Sequence, residues 1–484
     1  MMIPLLLLCI PLASAIVIWS FPAAFTGIFS KLFAGTQIIS LLVIYVLHFY
    51  ASTTTELQYD MMWFNAMGLH VSLILSPLSM LFIILTSLVG SIIVLSIPAT
   101  TSKHVYALVF FMLFALQGVF LAQDGLLFYI FWELALLPIY FIGLVWSDAT
   151  RATLLKFFVY TVLGSLSMLL GLIFVYLHTD VAGAHAWNYN AMIQAAQALQ
   201  PQQQYFVFWS IFLAFAIKLP LFPFHSWQPA TYVEMPYYGT MLLSGIMLKM
   251  GVFGIIHWLF AMVPAAIPSV QQPVLILALI GILYASIIAI QQRDYKRLIA
   301  YASMAHVGVI VCGLFSAHVQ GIQGALFQSV SHGLTVVGLL LVCDILEHRF
   351  GSQTISNLGG IRNTHPWFAV LFLCITMGAV ALPLTSSFIG EFLIFNGLFS
   401  YSPLIMGLAG ISVILGAVYM LRSYQGIMLG QHTANTTATI PKAHYILLTV
   451  VMALIILLGL FPKPINDLAA SAATTLVHTL KPGI

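Results

Sequence analysis

Apolar stretches of about 17 to 25 residues, each long enough to cross a hydrocarbon core of about 30 Å, follow one another along the whole chain with short polar breaks between them. The pattern predicts about fourteen membrane-spanning helices, at 3–19, 27–50, 71–98, 104–122, 124–146, 152–178, 204–224, 237–262, 271–290, 296–316, 321–346, 366–400, 402–429 and 443–461. The expected fold class is therefore an all-α polytopic membrane protein. No basic residue precedes the first span, since the first lysine is Lys31, so that span is read as a retained helix and not as a cleaved signal. Beyond the last span, Ile465, Leu468, Ala472 and Leu476 recur at helical spacing, which predicts a short amphipathic helix along the surface. The chain accordingly divides into N-terminal spans (1–103), a block of five spans (104–262), a second block of five (271–429), and the last span with its tail (443–484).

Ionisable side chains interrupt these spans. Each costs about 2.5 to 3.5 kcal/mol near the bilayer centre, so each marks a partner, a cavity or a function. Glu133, Lys249, His306 and His332 lie near the middles of spans five, eight, ten and eleven. Lys218 stands two residues before Pro220, and Glu391 eight after Pro383. A proline inside a helix removes a hydrogen bond and breaks or kinks it, and broken spans that line a wet cavity are the mark of ion sites in transporters. The broken spans are the seventh and the twelfth. Their separation is odd, so five-span blocks starting at spans four and nine run in opposite directions, as an inverted repeat. The same offset brings Glu133 into register with His306.

Bland readings compete at each position. Membrane histidines often serve packing, and two buried acids with two buried bases can neutralise each other as structural pairs. Lys156 is read as an interfacial anchor, and Asp344 and Glu347, at a span end, as interfacial groups. Against mere pairing, Glu133, Lys218, Lys249 and Glu391 are spread over four spans at similar depth, which makes a line across the membrane. No arginine occupies a span centre, which favours groups that can exchange protons over a fixed cation.

Composition sharpens the class. Of 484 residues, 62% are hydrophobic and 6% charged, against about 25% charged in soluble domains. Fifteen basic and twelve acidic side chains cannot clothe a water-facing surface, so an active site of the soluble kind is not expected. The net charge of +3 is spread thinly, without the basic run that a nucleic-acid partner calls for. Cys9, Cys312, Cys343 and Cys374 are isolated in apolar runs, which excludes CxxC metal spacing and an iron-sulfur ligand set. Lys31, Lys103, Arg151, Lys156, Arg293, Lys296, Arg297, Arg349, Arg362, Arg422 and Lys442 all fall in or beside loops after odd-numbered spans. Those loops are expected in the cytoplasm and both termini on the other side.

Six stretches carry a resemblance: FWELALLPIYFIGLVW (131–146), AFAIKLPLFPFHSW (214–227), GIMLKMGVFG (245–254), RDYKRLIAYASMAHVG (293–308), GALFQSVSHGLTVVGLLL (324–341) and ALPLTSSFIGEF (381–392). In this order they resemble the antiporter-like membrane subunits of respiratory complex I, the NADH:quinone oxidoreductase, along nearly the whole chain. The resemblance implies fourteen helices in two inverted five-helix repeats with helices seven and twelve broken. It implies an acid on helix five, Glu133, paired with a lysine on helix seven, Lys218, a connecting Lys249 on helix eight, His332 on helix eleven, and a terminal Glu391 on helix twelve. Glutamate at 391 is the mark of M-type members; N- and L-type members usually carry lysine there. Two family features are replaced: Ala230 and Tyr232 stand where an aspartate and a histidine are usual, and Ser76 and Pro77 stand where an aspartate is usual.

What the resemblance implies is a proton-translocating, non-redox subunit in the inner membrane of a bacterium. Its partners would be other membrane subunits, homologous antiporter-like ones among them, together with lipids and protons, and no nucleic acid. No cofactor is expected in this chain; NADH, FMN, iron-sulfur clusters and quinone would belong to partner subunits. The alternative is a subunit of a multisubunit sodium/proton antiporter or of a membrane-bound hydrogenase, built on the same fold.

Overall fold

The structure, a computed structural model, describes residues 2–50, 57–147, 150–181, 184–430 and 439–480. Among these, eleven helices are long and apolar enough to cross a membrane, from Ile3–Ser20 to Lys442–Leu460. The expected spans at 27–50, 204–224 and 366–400 fall outside those eleven. They lie on Thr26–Tyr50, on Pro201–Lys218 and on the pair Pro366–Ala379 and Ser386–Tyr401. Outward faces are apolar: Leu155, Val159, Leu163, Leu166 and Leu170 on Arg151–Tyr176 are all exposed, as suits a surface against lipid or other apolar protein.

The fold is predominantly helical, as expected, with one two-stranded sheet that the all-α expectation did not include. Leu57–Phe64 and Leu69–Leu75 pair as an antiparallel hairpin, whose turn is made by Gly68 in the left-handed region at φ 58°. The expected span 71–98 accordingly starts late. Pro77 occupies the first helical turn, where its missing N–H costs nothing, and the Ser76 hydroxyl caps it by accepting from Ser79 N at 3.2 Å. Hydropathy alone merges an apolar strand with the apolar helix that follows it; the Ser76-Pro77 pair is the boundary signal. In the tail, Lys463–Leu480 is one helix that buries Ile465, Leu468, Ala469, Ala473 and Leu476. Three of the four residues expected on the apolar stripe are thus buried, while Ala472 is only half-buried and Ala469 and Ala473 take its place.

Two compact units divide the chain, one mainly of Met1–Lys218 and Ile246–Val270, the other of Leu219–Gly245 and Gln271–Val477. Each contains helices interrupted where prolines forbid continuity. In the first, Gly125–Leu134 gives way to Leu136–Trp146: Pro138 cannot donate to the carbonyl four residues back, which places the interruption beside Glu133. Pro201–Lys218 likewise ends at the lysine itself. In the second unit, Pro366–Ala379 and Ser386–Tyr401 are separated by a turn in which Ala381 (φ 58°) and Leu384 (φ 77°) take the left-handed conformation. A non-glycine residue there costs of order 1–3 kcal/mol, and such strain clusters at functional sites.

Candidate functional site

In the first unit the expected residues are at depth. Lys218 is 2% and Lys249 1% exposed. Lys218 Nζ lies 5.4 Å over the Trp132 ring, so the neighbour of Glu133 in sequence supplies a cation-π face to the ammonium. Glu133 Oε1 is buried without a hydrogen-bond partner, and no ion pair of 4 Å or less joins Glu133 to Lys218. The expected pair is therefore an open arrangement in which neither charge locks the other. Lys249 sits between two π-helical segments of the same span, Leu243–Met247 and Ile255–Leu259. Single π turns inside α-helices are frequent at functional sites, because they re-aim side chains and free carbonyls.

The second unit gathers its expected residues tightly. Helices Val319–Phe350 and Ser386–Tyr401 cross with backbones almost touching: a Cβ added to Gly324 would lie 2.6 Å from Ile394 N and 2.7 Å from the Gly390 carbonyl oxygen. Small residues at a crossing let membrane helices approach closely. Ser331 Oγ fixes the restart of the broken helix through Ser386 Oγ at 2.6 Å and Ser387 Oγ at 2.8 Å. One turn and a half into that helix stands Glu391, 5% exposed. Its Oε1 meets His306 Nδ1 at 3.1 Å and accepts a hydrogen bond from Gln328 Nε2 at 3.2 Å. The rings of His306 and His332 are 6.0 Å apart between centroids.

Two cavities open on this group. The larger is lined by Ser303, His306, Gln328, His332, Thr335 and Ser387 among others; the smaller by His306, Glu391, Ser412 and Tyr419 among others. His306 belongs to both. Gln328 Oε1 and Thr335 Oγ1 are buried beside the larger cavity without a protein partner, and a single water there would satisfy them. A carboxyl and an imidazole at hydrogen-bond distance can pass one proton between them with little movement, and here the pair stands between two chambers.

Gln328 was not singled out by sequence reasoning, although it lies four residues before His332 on the same helix. An uncharged amide in an apolar span reads as packing, and only the crossing at Gly324 and Gly390 reveals its contact with Glu391. A second miss concerns Lys296, expected beside a cytoplasmic loop. It is 3% exposed and donates to the carbonyls of Val233 at 3.0 Å and Met235 at 2.6 Å, where it satisfies the carbonyl end of the short helix Gln228–Glu234. Tyr232 is fully buried in that helix. Among the described residues no group of three or more His, Cys, Asp or Glu is arranged to hold a metal ion.

The transmembrane family model described as NADH:quinone oxidoreductase/Mrp antiporter matches residues 122–416, a stretch that holds all six site residues. The chain belongs to this family. Subunit M of NADH-quinone oxidoreductase from Rickettsia conorii is 34% identical over 422 residues, 86% of this chain and 85% of the relative. A chain of the solved respiratory complex I from Thermus thermophilus with bound NADH superposes with a TM-score of 0.90 at 28% identity, over 99% of this chain and 100% of that one. A chain of the Mrp complex from Dietzia sp. shares the fold, with a TM-score of 0.86 at 18% identity, over 100% of this chain and 98% of that one. The family's architecture thus extends across both units, and its membrane-arm members of complex I stand nearer in sequence than the Mrp chain does.

Proposed function

We propose that the chain is a proton-translocating membrane-arm subunit of a bacterial NADH:quinone oxidoreductase, coupling quinone reduction elsewhere in the complex to proton movement. In this reading Glu133, Lys218 and Lys249 serve the first unit, and His332, His306 and Glu391 the second. The redox groups, NADH, FMN, iron-sulfur clusters and quinone, belong to partner subunits, and the chain itself moves only protons. The sodium/proton antiporter alternative has less support, because the Mrp likeness carries fold alone at 18% identity.

One observation carries the reading: the His306–Glu391 contact at 3.1 Å, on a broken helix, with a cavity on either side. When His306 is protonated, its Nδ1–H donates to the carboxylate; when Glu391 takes that proton, the carboxyl faces the chamber lined by Ser412 and Tyr419 and can release it there. Gln328 holds the carboxylate in place during both steps. The relay needs a group that accepts and gives a proton at position 391, and glutamine keeps the size and hydrogen bonding but does neither. In sealed vesicles, Glu391→Gln is expected to abolish most proton uptake per NADH oxidised, with assembly intact and the NADH reaction with an artificial acceptor unchanged. Glu391→Asp should keep part of the activity. Full pumping by an assembled Glu391→Gln complex would overturn the assignment.

A further inference from the structure

A second cluster of ionisable groups lies in the second unit, away from Glu391 and toward the ends of the helices that carry it. Tyr237 donates its hydroxyl to Glu347 Oε2 and also reaches Gln353 Oε1 at 3.4 Å and Cys343 Sγ at 3.7 Å. The ammonium of Lys296 sits 4.1 Å over the face of the same tyrosine. On the outer side, Asp344, one turn before Glu347, is flanked by His348 Nδ1 at 3.0 Å and His444 Nε2 at 3.4 Å, and His348 is 63% exposed. Asp294 and Arg297, at the start of Tyr295–Phe315, complete the charged surroundings. Nothing in the relay above uses any of these groups.

The larger cavity leads back toward them. Its lining runs from Ser387, His306 and Gln328 to Ile299 and Leu339. Ile299 is three residues beyond Lys296, about one turn, and Leu339 eight before Glu347, about two turns or 12 Å along the helix, so the cavity ends within about two turns of the cluster. An exposed histidine, a carboxylate, a second carboxyl hydrogen-bonded to a buried tyrosine, and the cavity of His306 and His332 thus follow each other in order. Structural pairing does not call for this order, since a charge pair needs no chamber behind it.

We propose that the Asp344–Glu347–Tyr237–Lys296 cluster is the loading mouth through which protons enter the cavity of His306 and His332; this rests on the pump reading above. A proton taken by His348 or His444 passes to the Asp344 carboxylate and then to Glu347, its neighbour one turn on. From the neutral Glu347 carboxyl it is handed through water to the end of the cavity lined by Ile299 and Leu339, and the carboxylate is restored. Lys296, anchored on two carbonyls, provides the fixed positive charge that stops a proton from resting beside Tyr237 and sends it inward. The end of the unit with Arg293, Arg297 and Arg349 is the one expected in the cytoplasm, so the mouth draws on that side.

The test uses the assembled oxidoreductase in sealed membrane vesicles. Glu347→Gln is expected to lower protons pumped per NADH by roughly half or more, with the deficit growing as pH rises and protons become scarce at the mouth. Glu347→Asp should restore part of it. Tyr237→Phe, which keeps the ring over Lys296, is expected to change the pH profile in the same direction, and it carries the test if Glu347→Gln does not assemble. A profile identical to wild type in both assembled variants, or a uniform loss that follows assembly and ignores pH, overturns the proposal. Glu391→Gln in the same vesicles separates the two readings. If it stops pumping while Glu347→Gln does not, the mouth alone fails; if neither has an effect, the pump reading fails first.

Discussion

Lys218 and Glu133 pose the sharpest question at the scale of single residues, because the lysine is buried and the glutamate half-buried and yet they form no close ion pair. Breaking a tightly paired buried bridge costs about 3–5 kcal/mol by stranding one charge. Here the ammonium already rests on Trp132, so Glu133→Gln should strand little: about 1–2 kcal/mol of stability, comparable to one buried polar contact. Its effect on function should be larger, since a through-space charge beside Lys218 is what biases that lysine's proton. We expect several-fold lower proton uptake per NADH with a nearly unchanged melting temperature of the purified complex. Normal uptake would return Glu133 to packing. These residues were legible in the sequence because an ionisable group in an apolar run stands out against its neighbours. Lys296 was not, because it stands between Arg293 and Arg297 at a span edge and looks like one more positive anchor; nothing in its spacing announces the two carbonyls it caps. Gln328 was silent for a different reason, having no charge at all.

At the scale of elements, the prolines did most to expose the site and the glycines least. Pro220 and Pro383 announced broken spans, and the break before Ser386 is where the structure has it. The crossing that delivers Glu391 to His306, however, depends on Gly324 and Gly390 meeting face to face, and helix–helix contacts across the chain leave no periodic trace in one sequence. The hairpin at Leu57–Leu75 was hidden for a related reason: its second strand is apolar enough to pass for the start of the next helix. The crossing can be tested directly. Gly324→Ala places a Cβ 2.6 Å from backbone nitrogen of Ile394, which cannot be relieved by turning a side chain, so the two helices must separate. The His306–Glu391 contact should lengthen with them. We expect lower yield of assembled complex and pumping reduced in what does assemble. Gly407→Ala, where a Cβ meets nothing within 4 Å, is the matched control and should match wild type. Equal behaviour of the two variants would mean that the crossing is looser than its geometry states.

At the scale of the whole molecule, direction is the property that a pump cannot do without, and the sequence expresses it through one-sided positive charge. Loops after odd-numbered spans hold Arg293, Arg297 and Arg362, while the loop around Gln200 holds no basic residue; retained lysine and arginine mark the cytoplasmic side. The helices make this a parity argument. Three crossings are expected between Gln200 and Arg293, at 204–224, 237–262 and 271–290, of which the last two coincide with the long apolar helices Tyr237–Met262 and Pro264–Gln291, so the two positions are expected on opposite sides. With the four native cysteines replaced, a membrane-impermeant maleimide added to intact cells should label Gln200→Cys and leave Arg293→Cys and Arg362→Cys untouched until the membrane is opened. Both chain ends should behave like Gln200. Labelling of Gln200 and Arg293 from the same side would remove one crossing from between them, and with it the opposed direction of the two blocks of five. Labelling with the sides exchanged would keep the crossings but reverse the pump, and would put the Glu347 mouth on the face where protons are released.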